Sequence, residues 1–197
     1  MKLQFFIPLI AYLMGAIPFG YLLVKAQGAD IRSVGSGNIG ATNVFRKSRW
    51  AGILTLVLDT TKGYLAVLLA GWMGGELQWQ CMAAVFAILG HIFTPFLGFK
   101  GGKGVAAGCG AYLALSPLPA ATTLIVFALV MALTRYVSLA SILAAAAFPV
   151  LAYVFKEPIP VIVAAAIGSA LIVAKHHGNI RRLVSGTENK FALGNRP

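Results

Sequence analysis

The sequence predicts an all-α integral membrane protein with seven transmembrane helices, its N-terminus outside and its C-terminus cytoplasmic. Three observations carry this prediction. Hydrophobic residues make up 59% of the 197-residue chain and charged residues 11%, with mean hydropathy +0.84, whereas a soluble domain carries about 25% charge. The apolar residues gather into seven runs separated by short polar stretches. The remaining charges are lopsided, 16 Lys and Arg against 5 Asp and Glu, and the basic residues concentrate in alternate loops.

The first run, Leu3 to Val24, is long enough to span, since about 20 helical residues cross the hydrocarbon core. Lys2 ahead of it and the small residues Ala26 and Ala29 after it invite a signal-peptide reading. Its length, and the positive charge that follows it, mark an uncleaved anchor instead. The further runs, 51–72, 79–98, 104–116, 119–134, 137–155 and 158–175, read as helices because backbone groups in lipid must be satisfied within the segment. The fourth is short. Pro117 and Pro119 separate it from the fifth, and a single helix over 104–134 would be about 46 Å long at ~1.5 Å per residue.

Charge fixes the count. With seven spans, Lys25, Arg32, Arg46, Lys47, Arg49, Lys100, Lys103, Arg135, Lys175, Arg181, Arg182, Lys190 and Arg196 fall inside, and only Lys2 and Lys156 outside. Merging two spans would carry Arg135 and the basic C-terminus to the outer face, against the positive-inside rule. Residues 1–197 read as a single membrane-embedded domain. Cys81 and Cys109 lie inside apolar runs, where they serve as small packing residues and form no metal-ligand pattern.

"GSGNIGATN", Gly35 to Asn43, matches G-x-G-x-x-G, with Asp59 some twenty residues on. The fingerprint requires a preceding strand and a βαβ unit. Here it follows a polar exit from a membrane helix, so a dinucleotide site is excluded. Asp59 lies within the second run, with Lys62 one turn on along the same helical face. A charge in a span costs about 2.5–3.5 kcal/mol even on the lenient scale, so the two are expected to pair or to face the bundle interior, as a neutralising pair rather than a catalytic one.

Three polar stretches on the inside are rich in groups that hold phosphate. In the first, Val34 to Arg46, Ser36, Asn38, Thr42 and Asn43 offer side-chain hydrogen bonds, Gly35, Gly37 and Gly40 admit an anion to the backbone, and Arg46 can fork onto it. The second contains "KGGKG", Lys100 to Gly104. A Walker A loop would need Gly at Leu97 and Ser or Thr at Gly104, so this is no P-loop. Lys100, Lys103, Gly101, Gly102 and Gly104 instead open the fourth helix, where free N–H groups favour an anion. The third, Lys175 to Lys190, presents His176, His177, Asn179, Arg181 and Arg182 after the last span. Adjacent histidines point to different sides of a helix, so only one of them is expected to face a site.

Together the three stretches resemble the bacterial acyl-phosphate:glycerol-3-phosphate acyltransferases, the PlsY family, over the whole chain and in the same order. That family passes a fatty acyl chain from acyl phosphate to the first hydroxyl of glycerol 3-phosphate, giving lysophosphatidic acid and inorganic phosphate, at the cytoplasmic surface of seven membrane helices. The resemblance implies catalytic roles for Lys103, His176, Asn179 and Arg46. It implies substrate contacts for Ser36, Gly37, Asn38, Thr42, Asn43, Lys100, Gly101, Gly102, Gly104, His177 and Arg182, and for Ser141 in "RYVSLAS", with His91, Glu188 and Lys190 as further candidates. Two positions depart from the family pattern, Thr94 where Pro is expected and Ala107 where Thr is.

The chemistry agrees with the residues. Acyl phosphate is already activated, so no metal, cofactor or coenzyme A is expected. Two phosphorylated substrates repel each other, and the basic residues offset that repulsion. The H-x-x-x-x-D pattern of acyl-CoA-dependent glycerolipid acyltransferases is absent, since Phe96, Arg181 and Arg182 stand five residues after His91, His176 and His177. The expected partners are glycerol 3-phosphate, fatty acyl phosphate and membrane lipid, with no nucleic acid, for a monomer in the bacterial inner membrane. A transporter of a phosphorylated anion is the competing class, and would place its site near the midplane, often between related halves.

Overall fold

A proline sets the first feature of the architecture. Pro18 divides the first apolar run into α1 (Ile7–Ala16) and α2 (Phe19–Lys25), because it has no N–H to continue the ladder. The computed structural model describes residues 3–191; Lys2 and Arg196, both counted in the charge balance, lie outside the described residues. After a loop comes the short α3 (Ala41–Lys47), then α4 (Arg49–Trp72), α5 (Leu77–Ile92), α6 (Val105–Leu115), α7 (Pro117–Thr134), α8 (Val137–Val154), α9 (Ile159–Lys175) and α10 (His177–Val184). No strand occurs among the described residues.

All seven apolar runs become helical, with a break at Ser116 between the fourth and fifth. Among the described residues five segments are long and apolar enough to cross a bilayer: Leu3–Lys25, Arg49–Trp72, Leu77–Leu97, Pro117–Thr134 and Val137–Val154. Ile159–Lys175 adds a sixth when taken together with His177–Val184 across a 59° bend. The remaining run, α6, has 11 residues. At ~1.5 Å per residue it is too short to span by itself. Its sequence run begins at Gly104, but Gly104 adopts φ +85° and belongs to the preceding loop, so helix begins only at Val105.

Helices in lipid gain little from hydrophobicity against one another and pack through small residues. In this bundle the contacts are reciprocal. Gly15 on α1 lies against the backbone of Ala87 on α5, while Gly90 on α5 lies against Tyr12 on α1. In the same way Gly63 on α4 meets Ala107, and Gly110 on α6 meets Thr60. A Cβ at any of the four would strike a backbone carbonyl, which fixes α1 on α5 and α4 on α6.

Carbonyls freed by prolines find partners on neighbouring helices, as a hydrocarbon surrounding demands. At the α1–α2 break, Ala16 O accepts from Thr94 Oγ1 at 2.6 Å, and Ile17 O from Lys62 Nζ at 2.7 Å. Pro149 inside α8 cannot bond Ala145 O, which accepts instead from Ser169 Oγ of α9 at 2.5 Å. Lys62 also pairs with Asp59 at 2.6 Å, as the spacing predicts, and His91 Nδ1 lies 3.7 Å from the same carboxylate. All three side chains are buried.

Lys62→Met would leave Asp59 buried and unpaired and the Ile17 carbonyl with one partner fewer, a loss of about 3–5 kcal/mol. The double variant Asp59→Asn, Lys62→Met should recover most of it. Thermal unfolding of both variants in detergent measures the difference.

Candidate functional site

The three polar stretches come together at one end of the bundle, and each is shaped by its own hydrogen bonds before it offers anything to a ligand. In the first, Gly35 and Gly37 take φ +55° and +68°, a region open to glycine. The turn is held from inside by Asn43. Its Nδ2 donates to Val34 O at 2.8 Å and Asn38 O at 2.9 Å, and its Oδ1 accepts from Ser36 N at 3.1 Å. Asn43, expected to touch substrate, is therefore buried and occupied with the loop. Asn38 Oδ1 accepts from Gly40 N at 2.9 Å in a local turn. Ser36 and Arg46 are exposed, and Gly37 and Thr42 half-buried beside them.

The second stretch doubles back on the end of α5. Gly101 N donates to Ile92 O and Gly102 N to His91 O, each at 3.0 Å. These amides are spent on α5, so the expectation that Gly101 and Gly102 present free N–H groups to an anion is replaced by a steric one. Gly101 sits on the His91 carbonyl and Gly102 on the His91 ring, where a Cβ would strike Nε2. Thr94, the departure from the family pattern, is the residue that satisfies Ala16 O. Lys100 is left exposed, and Lys103 is placed at the mouth of α6.

In the third stretch the chain bends by 59° between α9 and α10. The two histidines part as expected. His176 turns inward, 2% exposed, with Nδ1 2.8 Å from Ile172 O, so that in the neutral ring Nδ1 carries the proton and Nε2 is the acceptor. His177 is exposed and its Nδ1 lies 3.1 Å from Ala174 O, so it does not join the cluster.

One polar network ties the second and third stretches to each other and to the start of α8. Lys103 Nζ donates to Asn179 Oδ1 at 2.5 Å, and Asn179 Nδ2 donates to Glu188 Oε1 at 2.6 Å. The same Oε1 accepts from Ser138 Oγ at 2.8 Å, and Oε2 from Arg182 Nε at 2.6 Å. Burial pushes the Lys103 ammonium down to about 8, with the nearby Arg182 and Arg46 adding to the shift and Glu188 opposing it. Burial works against the Glu188 charge, but its three hydrogen bonds outweigh that and hold the carboxyl below its ordinary value.

Glu188 was only a further candidate in the sequence, and Ser138 was not singled out. The available signal was that Glu188 is the sole acid in the basic stretch Lys175 to Lys190. Ser141, named as a contact, instead donates to Val137 O of its own helix at 2.8 Å, and Ser138, one turn earlier, reaches the network. Beyond Glu188 the chain crosses to α7 and α3. Phe191 N donates to Arg135 O at 2.7 Å, and its ring lies 5.5 Å from that of Phe45.

A narrow cleft of about 80 Å³ runs between α6, α7, α8 and α9, lined from Val105, two residues after Lys103. Val105, Ser141 and Ile172 line it at the end nearest the polar network, and the Ile172 carbonyl is the one that holds His176. The hydroxyls of Thr123, Ser141 and Ser169 in its wall all donate to backbone carbonyls, so the surface offered is apolar.

The family model described as Glycerol-3-phosphate acyltransferase matches residues 5–186. The glycerol-3-phosphate acyltransferase of Trichlorobacter lovleyi is 48% identical over 182 residues, 92% of this chain and 94% of the relative. That of Geobacter sulfurreducens is 49% identical over 184 residues, with the same coverage. Two crystal structures of PlsY (YgiH), an integral membrane glycerol 3-phosphate acyltransferase, superimpose closely. Its glycerol 3-phosphate form gives TM-score 0.92 at 39% identity, covering 96% of each chain. Its lysophosphatidic acid form gives 0.89 at 38%, covering 96% of this chain and 95% of the other.

Gly102→Ala should cost about 1–3 kcal/mol by overpacking against the His91 ring. His91→Ala in the same chain removes the obstacle and should restore part of the loss, read as a thermal shift in detergent.

Proposed function

Because this chain belongs to the glycerol-3-phosphate acyltransferase family, a multi-pass membrane enzyme family, we propose that its acyl donor is a fatty acyl phosphate. The observation that carries the proposal is a cationic cluster that stands next to one end of an apolar cleft. Lys103 has Arg46 and Arg182 nearby, and Val105, two residues on, opens a cleft whose hydroxyls are all turned away. Such a site suits a molecule with a phosphate at one end and a hydrocarbon chain at the other. The cluster lies at the end of the bundle rather than at its midplane, which argues against the transporter alternative.

In this reading the ammonium of Lys103, held by Asn179, keeps two N–H groups for phosphate oxygens. Arg46, Lys100 and Arg182 add charge, and the exposed Ser36 and the turn around Gly37, Asn38 and Thr42 receive glycerol 3-phosphate. The acceptor hydroxyl oxygen attacks the acyl carbonyl carbon, the bond from that carbon to the phosphate oxygen breaks, and inorganic phosphate leaves. A phosphate oxygen of the substrate takes the hydroxyl proton, so the proton and leaving group balance without a protein nucleophile. His176 and Asn179 orient the reacting groups. The basic end faces the cytoplasm of a bacterial inner membrane, with seven membrane segments including the short α6, the N-terminus outside, and the whole chain as one monomeric domain.

Two kinetic outcomes test these roles. Lys103→Ala should lower kcat/KM by roughly 10²-fold or more, since it removes a donor aimed at developing charge; a near-normal value would remove Lys103 from the reaction. A lysine with its pKa pushed down to about 8 is charged below that pH and neutral above it. The kcat/KM for glycerol 3-phosphate should therefore fall as pH rises through about 8. Lys103→Arg, charged throughout, should flatten that limb even where it lowers the plateau.

A further inference from the structure

We propose that Tyr112 and Phe148 close the far end of the apolar cleft and set how much of an acyl chain it accepts. The inference rests on the acyl-phosphate reading and adds to it the residues that decide chain length. α6 and α8 both run away from the polar network, α6 from Val105 and α8 from Val137, near Ser138. The cleft residues they supply therefore order themselves by depth. Small side chains come first, with Gly108 on α6 and Ala144 and Ala145 on α8, and the large rings of Tyr112 and Phe148 come last.

The two rings form a fixed floor. Their centroids are 4.2 Å apart and their planes 32° from parallel. Tyr112 cannot swing aside, because its hydroxyl donates to Ala164 O at 2.7 Å and lies against Gly168, where a Cβ would strike it. Phe148 is 3% exposed and belongs to the main core. From Val105 to Tyr112 the helix advances about 10 Å at ~1.5 Å per residue. A chain entering beside Lys103 thus finds a narrow apolar slot of that depth, and each methylene that fits is removed from its other surroundings until the rings are reached.

The test compares enzymes rather than chains, so that partition into detergent cancels. Purified wild type, Phe148→Ala and Phe148→Leu are assayed for kcat/KM with saturated acyl phosphates from hexanoyl to palmitoyl, glycerol 3-phosphate being the acceptor. The variant-to-wild-type ratio should stay flat for chains too short to reach the floor. It should then climb with each methylene that overruns the wild-type floor and is newly accommodated, before levelling off, with Phe148→Leu climbing less. Ala144→Leu, which fills the slot midway, should make the ratio fall with chain length instead. An active wild type with ratios independent of chain length in all three variants overturns the floor assignment. A wild type inactive with acyl phosphate of every length overturns the donor reading, and the floor assignment with it.

Discussion

The constraint on which this structure depends is that a carbonyl set free in a hydrocarbon surrounding must be given a donor by the protein itself. Pro18 and Pro149 each create such carbonyls, and each is answered by a side chain from another helix. Thr94 and Lys62 answer at the α1–α2 break, and Ser169 answers at α8. The first answer costs the most, because Lys62 brings a charge into the bundle and therefore needs Asp59 beside it. The pair repays this by joining three helices. α4 carries both charges, α2 begins at the carbonyls they and Thr94 secure, and α5 brings His91 to within 3.7 Å of the carboxylate.

From that junction the geometry passes outward to the site. His91 carries the carbonyl and the ring on which Gly101 and Gly102 lie, so the returning loop is registered on the end of α5. The loop then delivers Lys103 beside Asn179. From the other side Glu188 draws Asn179, Arg182 and Ser138 to one carboxylate, bringing the tail after α10 onto α8. Lys103 is thus held between a buried charge pair acting through the glycines and an acidic hub acting through an amide. Of the cations in this cluster Lys103 is the one that burial partly desolvates and a hydrogen bond to Asn179 holds in place, while Arg46 and Lys100 stay exposed.

Much of this was legible in the sequence because the membrane simplifies the code. Apolar runs and basic loops located every major helix, the Asp59–Lys62 spacing foretold an ion pair, and Lys103, Asn179, Arg182 and Arg46 were named from loops far apart in the chain. What escaped was how each loop spends its hydrogen bonds. Asn43, Gly101 and Gly102 read as ligands for an anion but shape their own turns, since a side-chain amide or a backbone N–H serves a neighbouring carbonyl as readily as a phosphate. Ser141 was named from the resemblance and Ser138 was not, and sequence spacing does not resolve which of two serines one helical turn apart reaches the network. Length alone marks five spans, or six with the bent α9–α10 pair, because the fourth apolar run gives a helix of only 11 residues.

The central claim is that phosphate, not coenzyme A, is the leaving group, and one measurement addresses it directly. Purified protein in detergent is given palmitoyl phosphate or palmitoyl-CoA, each with and without glycerol 3-phosphate, and released phosphate and lysophosphatidic acid are both quantified. The account predicts phosphate release from palmitoyl phosphate that requires the acceptor and matches lysophosphatidic acid mole for mole, with no product from palmitoyl-CoA. Lysophosphatidic acid formed from palmitoyl-CoA, and none from palmitoyl phosphate, would contradict it.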